Sequence, residues 1–413
     1  MNKRPLIGNI LAEDGEAEEE QLRFILNKRR VLLNKDELSK IHRRRRSDPE
    51  IMTTTWLDEE HDLFENSPSI QTVPQEILHV EAEMKIFTCE YSGKIAEMAK
   101  EQNGSRLLQQ KLDTYTADQK QAVFEEASKA FKTLVNDIFG NFVLQKIIEV
   151  GTKDHRKAMA ELFIGRVVEY SMQMYACRVL QKLLECIDYE QKRAIVLEFK
   201  NNLEGCLENE YSNHVIQKCI EKLPYNFVDF IIDCIKGRAI YWIDHAFGCR
   251  VIQRIIESVP KEHWEPIFST TIMNSIQLSK ANFGNYVIQH ILEKGTEQDK
   301  NDLIKSFYGR ICELSKNKIA SNVIEKCLRK GSPSNLEAIY AELFDQKVLQ
   351  EMATDKFSNF VIQRAIESAK GERQALLMKK VQEIAQALRP FKFGRYVLNA
   401  IEKIKKNNSV NMS

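Results

Sequence analysis

The chain has 413 residues, with 60 Lys+Arg against 59 Asp+Glu, 43% hydrophobic and 29% charged. That is a globular composition, long enough for one large domain or two to three ordinary ones. No run of apolar residues is long enough to cross a membrane as a helix, and the first 20 residues contain no apolar signal core, which argues against secretion. The nine cysteines are scattered without a C-x-x-C pair, which suggests reduced thiols rather than a disulfide framework.

In chain order, residues 1–80 hold 12 basic and 16 acidic residues, and the remainder holds 48 and 43. The first segment contains GEAEEE, TTT, Pro49, Pro68 and Pro74, with weak apolar periodicity only from Leu22 to Leu33. Its expected state is mostly disordered, with one short helix. Its one sharp feature is Arg43 to Arg46 followed by Ser47, Asp48 and Pro49. As RxxSxP this fits a basophilic kinase site whose phosphoserine suits a 14-3-3-type receptor, with Ser47 as the candidate phosphosite. The same run also reads as a nuclear-localisation signal or as a solvated charge run.

From residue 81 onward one short pattern returns nine times: NGSRLLQQ, FGNFVLQK, YACRVLQK, YSNHVIQK, FGCRVIQR, FGNYVIQH, IASNVIEK, FSNFVIQR and FGRYVLNA. The third residue of each copy falls at Ser105, Asn141, Cys177, Asn213, Cys249, Asn285, Ser321, Asn359 and Arg395. The period is 36 residues, except for 38 between Ser321 and Asn359. Self-similarity of that kind specifies a repeat solenoid whose function lies on a repeated surface. Within each copy apolar residues recur as Val143, Leu144, Ile147 and Ile148 do in the second, forming one helical face. A small residue precedes the variable one, consistent with a tight helix start, and the mostly aromatic residues before it (Phe139, Tyr175, Tyr211, Phe247, Phe283, Phe357, Phe393) read as core. Gly151, Pro224, Pro260, Gly295 and Gly331 break the chain after the motif, and a second amphipathic stretch follows, giving three short helices per repeat. The extra two residues of the seventh repeat are assigned to GSPSNLE, residues 331–337.

Counting from the third residue of the motif, positions 1, 2 and 5 lie at about 0°, 100° and 40° around a helix, on one face. Position 2 is planar throughout: Arg106, Phe142, Arg178, His214, Arg250, Tyr286, Asn322 and Phe360. Planar groups stacked at repeat spacing form slots for flat ligands such as nucleobases. Positions 1 and 5 pair a short side chain with a longer amide or acid that can reach a base edge. The pairs are Ser105/Gln109, Asn141/Gln145, Cys177/Gln181, Asn213/Gln217, Cys249/Gln253, Asn285/Gln289, Ser321/Glu325 and Asn359/Gln363. Position 6 is basic in Lys146, Lys182, Lys218, Arg254, His290, Lys326 and Arg364, a file that suits a phosphodiester backbone. Taken singly, an amide column is also a solenoid ladder and a Lys column a solvated face. The three files together favour single-stranded RNA.

These residues resemble the PUF family, the Pumilio homology domain of sequence-specific RNA-binding proteins. The resemblance implies an all-α, right-handed, crescent-shaped α-solenoid of eight roughly 36-residue three-helix repeats with flanking pseudo-repeats, spanning 81–405, with 406–413 disordered. It implies that Asn/Gln reads uracil, Cys/Gln or Ser/Gln adenine, and Ser/Glu guanine, with RNA antiparallel to the chain. The site implied is 5′-UGUAUAUA-3′ in mRNA 3′ untranslated regions. The ninth copy, with Arg395, Tyr396 and Asn399, becomes a C-terminal cap whose Tyr396 stacks on the first base. Phe142 and Phe360 depart from the Tyr of close relatives, keeping the stacking surface and losing a hydroxyl. The family further implies a cytoplasmic, monomeric post-transcriptional repressor that engages a deadenylase complex and other co-regulators through its convex face and the loop between repeats seven and eight. It implies no cofactor, metal or membrane. An enzyme is the competing class, but no G-x-x-x-x-G-K-[ST], G-x-S-x-G or H-E-x-x-H occurs, and the eight histidines have no metal spacing. An armadillo-type protein scaffold needs no planar file, and a nucleolar PUF-like protein is expected to have degenerate reading positions.

Overall fold

In the computed structural model residues 91 and 93–410 are described, with side chains through 405. The expected N-terminal tail, its short helix and Ser47 lie outside the described residues. Among the described residues all regular structure is helical.

The nine motif copies each form or begin a helix, and we number these nine: α1 Gln102–Thr114, α2 Gly140–Val150, α3 Ala176–Cys186, α4 Ser212–Lys222, α5 Gly248–Ser258, α6 Gly284–Lys294, α7 Ala320–Lys330, α8 Ser358–Ser368 and α9 Lys392–Val410. Each packs on the next, so the nine build one continuous wall. Two further helices complete a repeat, for example Lys153–Glu161 and Val167–Ser171 after α2. Val143, Leu144, Ile147 and Ile148 are buried, as are all four counterparts in the third, fourth, sixth, seventh and eighth copies. A lone repeat could not hide that face. Stacking neighbours does, at roughly 1.5–3 kcal/mol per large apolar side chain.

Side-chain acceptors fix the start of several motif helices. Asp137 Oδ1 accepts from the backbone N–H of Phe139 (2.9 Å) and Gly140 (2.8 Å), and Asn209, Asn317 and Asp355 do the same for α4, α7 and α8. Such caps satisfy helix-terminal donors that would otherwise be orphaned. In the sixth repeat that position is Ala281, and Asp244 of the fifth repeat reaches across to Phe283 and Gly284, both at 3.0 Å. The small residue at the helix start is required by close approach. A Cβ on Gly248 would lie 2.7 Å from the Trp242 carbonyl oxygen.

Three sequence expectations need correction. The aromatic residues ahead of the motif are half-buried rather than core, and Phe283 is 37% exposed. They stand at the N-cap, before the buried face begins. The extra two residues of repeat seven are not in GSPSNLE, where Ser332 caps a helix that starts at Pro333. Repeat six places buried Phe307 and Ile311 four residues apart, whereas repeat seven places buried Leu343 and Leu349 six apart. The insertion therefore widens the turn at Phe344 and Asp345, between Pro333–Leu343 and Gln346–Thr354. Finally, α9 runs to Val410, past the residue 405 expected to end the ordered array. No Gly or Pro follows Gly394 to stop it.

Candidate nucleic-acid interface

Position 1 is buried in all eight repeats, with Asn141, Asn213 and Asn359 fully enclosed and Asn285 nearly so. Asn213 Nδ2 donates to the carbonyls of Asn209 and Glu210, both at 2.8 Å, and its Oδ1 accepts from Gln217 Nε2 at 2.9 Å. Asn141 and Asn285 repeat this arrangement with Gln145 and Gln289. Asn359 donates to Asp355 and accepts from Gln363 at 3.0 Å. An Asn at position 1 thus sets the orientation of the Gln one turn later. That Gln keeps one N–H and its carbonyl oxygen for a ligand.

Repeats without Asn leave the amide differently held. Cys177 and Cys249 donate Sγ–H to Met174 (3.3 Å) and Ala246 (3.4 Å) carbonyls. Burial pushes both thiols up to about 11, so they are neutral and poor nucleophiles. Among the described residues Gln181 Nε2 donates only to the Cys177 carbonyl at 3.2 Å, and the buried Gln253 Nε2 has no hydrogen-bond partner. Gln109 Nε2 donates to Ser105 Oγ at 3.2 Å, whose own hydroxyl is given to the Phe139 carbonyl. Ser321 likewise turns its hydroxyl to the Lys318 carbonyl, away from Glu325. Burial raises the Glu325 carboxyl, and Arg364 and Arg329 offset only part of that rise.

Position 2 points outward. Arg106, Asn322, Phe360 and Tyr396 are exposed and Phe142, Arg178, His214, Arg250 and Tyr286 half-buried. Phe360 leaves 54% of its surface in solvent, an unusual state for a Phe on an ordered helix. Within the file the Arg250 guanidinium lies 5.8 Å from the Tyr286 ring centre. Burial lowers the His214 pKa, and Arg250 and Arg178 on either side lower it further, so its ring is neutral at physiological pH.

The basic file at position 6 is not a free positive stripe. An acidic file at position 9 runs beside it, a column that sequence reasoning missed although the same 36-residue register displays it. Lys146 bridges Asp113 (2.7 Å) and Glu149 (3.1 Å), and Lys218 bridges Glu185 (2.9 Å) and Glu221 (3.2 Å). Lys182 meets Glu185, Arg254 meets Glu257 and Lys326 meets Glu293. His290 Nε2 sits 3.2 Å from Glu257 without hydrogen-bond geometry, and burial lowers its pKa, which removes it from the cations of the file. Arg364 pairs with Glu367 at 2.7 Å and approaches Glu325 at 3.6 Å. The interface is therefore a planar outer file, an amide file beneath it, and a charge-compensated ladder along one flank.

Comparison with known proteins follows the same register. A family model described as the Pumilio-family RNA binding repeat matches residues 94–127, 131–162, 166–199, 209–236, 245–269, 274–306, 310–344 and 349–381, more than half of the chain. The fold is similar to the Puf3 RNA binding domain bound to Cox17 RNA 3′ UTR recognition sequence site B, with a TM-score of 0.70 at 32% identity, covering 76% of this chain and 95% of that one. It is similar to PUF-8 in complex with PBE-RNA, with a TM-score of 0.72 at 31% identity, covering 79% and 99%. The mRNA-binding protein puf3 of Schizosaccharomyces pombe is 37% identical over 68 residues, which is 16% of this chain and 9% of that protein. A Pumilio domain-containing protein of the same yeast is 30% identical over 67 residues, 10% of its length. The matched stretch thus spans only about a tenth of these curated relatives.

Proposed function

The chain belongs to the Pumilio family of RNA-binding repeat proteins, and from that premise we propose that it reads 5′-UGUAUAUA-3′ in mRNA 3′ untranslated regions, one base per repeat and antiparallel to the chain. The observation that carries this reading is the amide file. Its side chains are held by Asn in repeats two, four, six and eight, by the Ser105 hydroxyl and carbonyl in repeat one, and more loosely in three and five.

An Asn-held Gln offers one donor and one acceptor in a set order, which suits the N3–H and O4 edge of uracil. The buried Asn reaches uracil O2 only by sharing an N–H already given to a backbone carbonyl. Its first task is to orient the Gln. A Gln beside Cys or Ser keeps a free donor and acceptor for the N6 and N1 edge of adenine, and the small neighbour leaves room for C2. The Glu325 carboxylate accepts from both N1–H and N2–H of guanine, a donor pair that no other base presents. The planar file of position 2 stacks between successive bases, with Tyr396 closing the 5′ end, at about 1–3 kcal/mol per base. The position 6 cations attract the backbone, moderated by the acidic ladder.

Homologous domains bind RNA from 3′ untranslated regions. By analogy with the family, the proposal extends to a cytoplasmic, monomeric repressor. It would recruit a deadenylase complex through the face opposite the motif helices and through the segment from Gly331 to the widened turn at Phe344. The test is a titration of the full chain with labelled UGUAUAUA and with ACAAUAUA at physiological salt. Tight binding to the first and loss on the second supports the reading. Equal binding to both refutes base readout, and binding to neither favours a protein-binding scaffold.

A further inference from the structure

Repeat seven differs from its neighbours in a column that does not itself face the base. Position 9 is acidic in Asp113, Glu149, Glu185, Glu221, Glu257, Glu293 and Glu367, but in α7 it is Arg329. In four of the six other pairs the position 9 acid faces the position 6 side chain of the following repeat, while Lys182 and Arg254 pair with the acid of their own helix. Lys146 reaches back to Asp113, Lys218 to Glu185, His290 to Glu257 and Lys326 to Glu293. Arg364 of α8 finds no such acid on α7. Its Nε instead lies 3.6 Å from Glu325 Oε2, while Nη1 stays on Glu367 at 2.7 Å. That Nε is buried and has no hydrogen-bond partner among the described residues.

We propose that Arg364 is a positioning and specificity-determining residue for guanine: it keeps the Glu325 carboxylate ionised and oriented, and the exchange of acid for Arg329 is what releases it to do so. The proposal rests on the reading that Glu325 addresses guanine. It assigns Arg364 a role beyond the phosphate contact expected of position 6.

The chemistry requires such a device. Glu325 is only 17% exposed, and burial alone favours its protonated form. A protonated Glu presents a hydroxyl donor in place of one acceptor, so it mimics Gln and loses the match to two adjacent N–H groups. Arg364 and then Arg329 oppose that burial, and Glu367 works against them. On the other side α6 contributes the neutral Gln289 and His290 at the matching positions, and its Glu293 is already held by Lys330 and Lys326. Arg364 and Arg329 are thus the cations acting on the reader, and each enters through a different helix.

The experiment measures binding of full-length protein to UGUAUAUA and UUUAUAUA from pH 5 to 8, for the wild type and for R364M, R364K, R329E and E325Q, with folding checked by circular dichroism. The wild type should lose its preference for G as pH falls. R364M should cut the G-over-U ratio by about tenfold at pH 7, the size of one good base-edge contact, and move its fall to higher pH. R364K should restore much of the ratio, and R329E should mimic R364M by recapturing the guanidinium. If R364M and R329E weaken both RNAs alike, leaving the ratio and its pH profile unchanged, Arg364 is a phosphate contact only and the proposal is overturned. If E325Q itself leaves the preference for G intact, the guanine assignment of repeat seven is what fails.

Discussion

Replacing Asn213 by Cys should convert the fourth repeat from a uracil reader into an adenine reader. Asn213 is fully buried and makes three side-chain hydrogen bonds, to Asn209 and Glu210 at 2.8 Å and from Gln217 at 2.9 Å. Cys249 shows what a thiol keeps in the same setting: one weak bond to the carbonyl three residues earlier, with Gln253 Nε2 left without a partner among the described residues. The substitution therefore exchanges three conventional hydrogen bonds for one weak one, a net loss of two at about 0.5–1.5 kcal/mol each, so the fold should lose about 1–3 kcal/mol. The Asn209 carbonyl still accepts the Asn213 backbone N–H at 3.3 Å, which limits the damage. Gln217, released from Asn213 Oδ1, regains the freedom of Gln253. Fluorescence anisotropy with UGUAUAUA and UGUAAAUA should show the preference at the fifth base inverting from U to A, with a change of about 1–3 kcal/mol, or roughly 5- to 150-fold. A folded variant that retains the wild-type margin for U would refute the idea that position 1 acts by orienting the amide.

Other perturbations separate the files of the interface. Phe360→Ala should leave thermal stability nearly unchanged, since that side chain is 54% exposed, yet raise the dissociation rate through a stacking loss of about 1–3 kcal/mol, readable by stopped-flow. Ser321→Asn with Glu325→Gln should move the preferred second base from G to U, checked by competition between the two octamers. Lys182→Ala should weaken all RNAs alike, and because Lys182 is already paired with Glu185 it should lower the salt slope by less than the ~0.7 of a free cation, measured over a potassium chloride series. The ladder also has an acid signature. Burial raises the Glu185 carboxyl, but Lys218 and Lys182 outweigh it and hold it below the usual range; Lys330 and Lys326 do so for Glu293. Groups depressed in the folded state stabilise it above their unfolded pKa and lose that contribution as pH falls through the lowered value. Thermal melts from pH 7 to 3 should show the wild type losing stability toward the acid end, and Lys218→Ala should flatten that loss.

Much of the molecule was legible in one dimension. The 36-residue register and the apolar positions of each copy are local properties, set by the rotation of about 100° per helical residue, and they sufficed for three helices per repeat and for the planar file. The same logic misplaced what depends on neighbours. GSPSNLE has loop composition, yet Ser332 caps the helix there, and the inserted residues were absorbed at the turn where Leu343 and Leu349 kept their burial. Position 1 shares its azimuth with the reading face, yet it is closed off by the backbone carbonyls of the preceding turn.

The repeat count, the helical faces and the identity of the variable side chains follow from the sequence by itself, because each is governed by contacts a few residues apart. The tertiary structure alone decided that Asp244 caps a helix in the next repeat, that the basic file is neutralised across repeats, and that Arg364 meets Glu325 instead of an acid. Those partners lie more than 30 residues apart in the chain, and only the stacking of one repeat on the next brings them within reach.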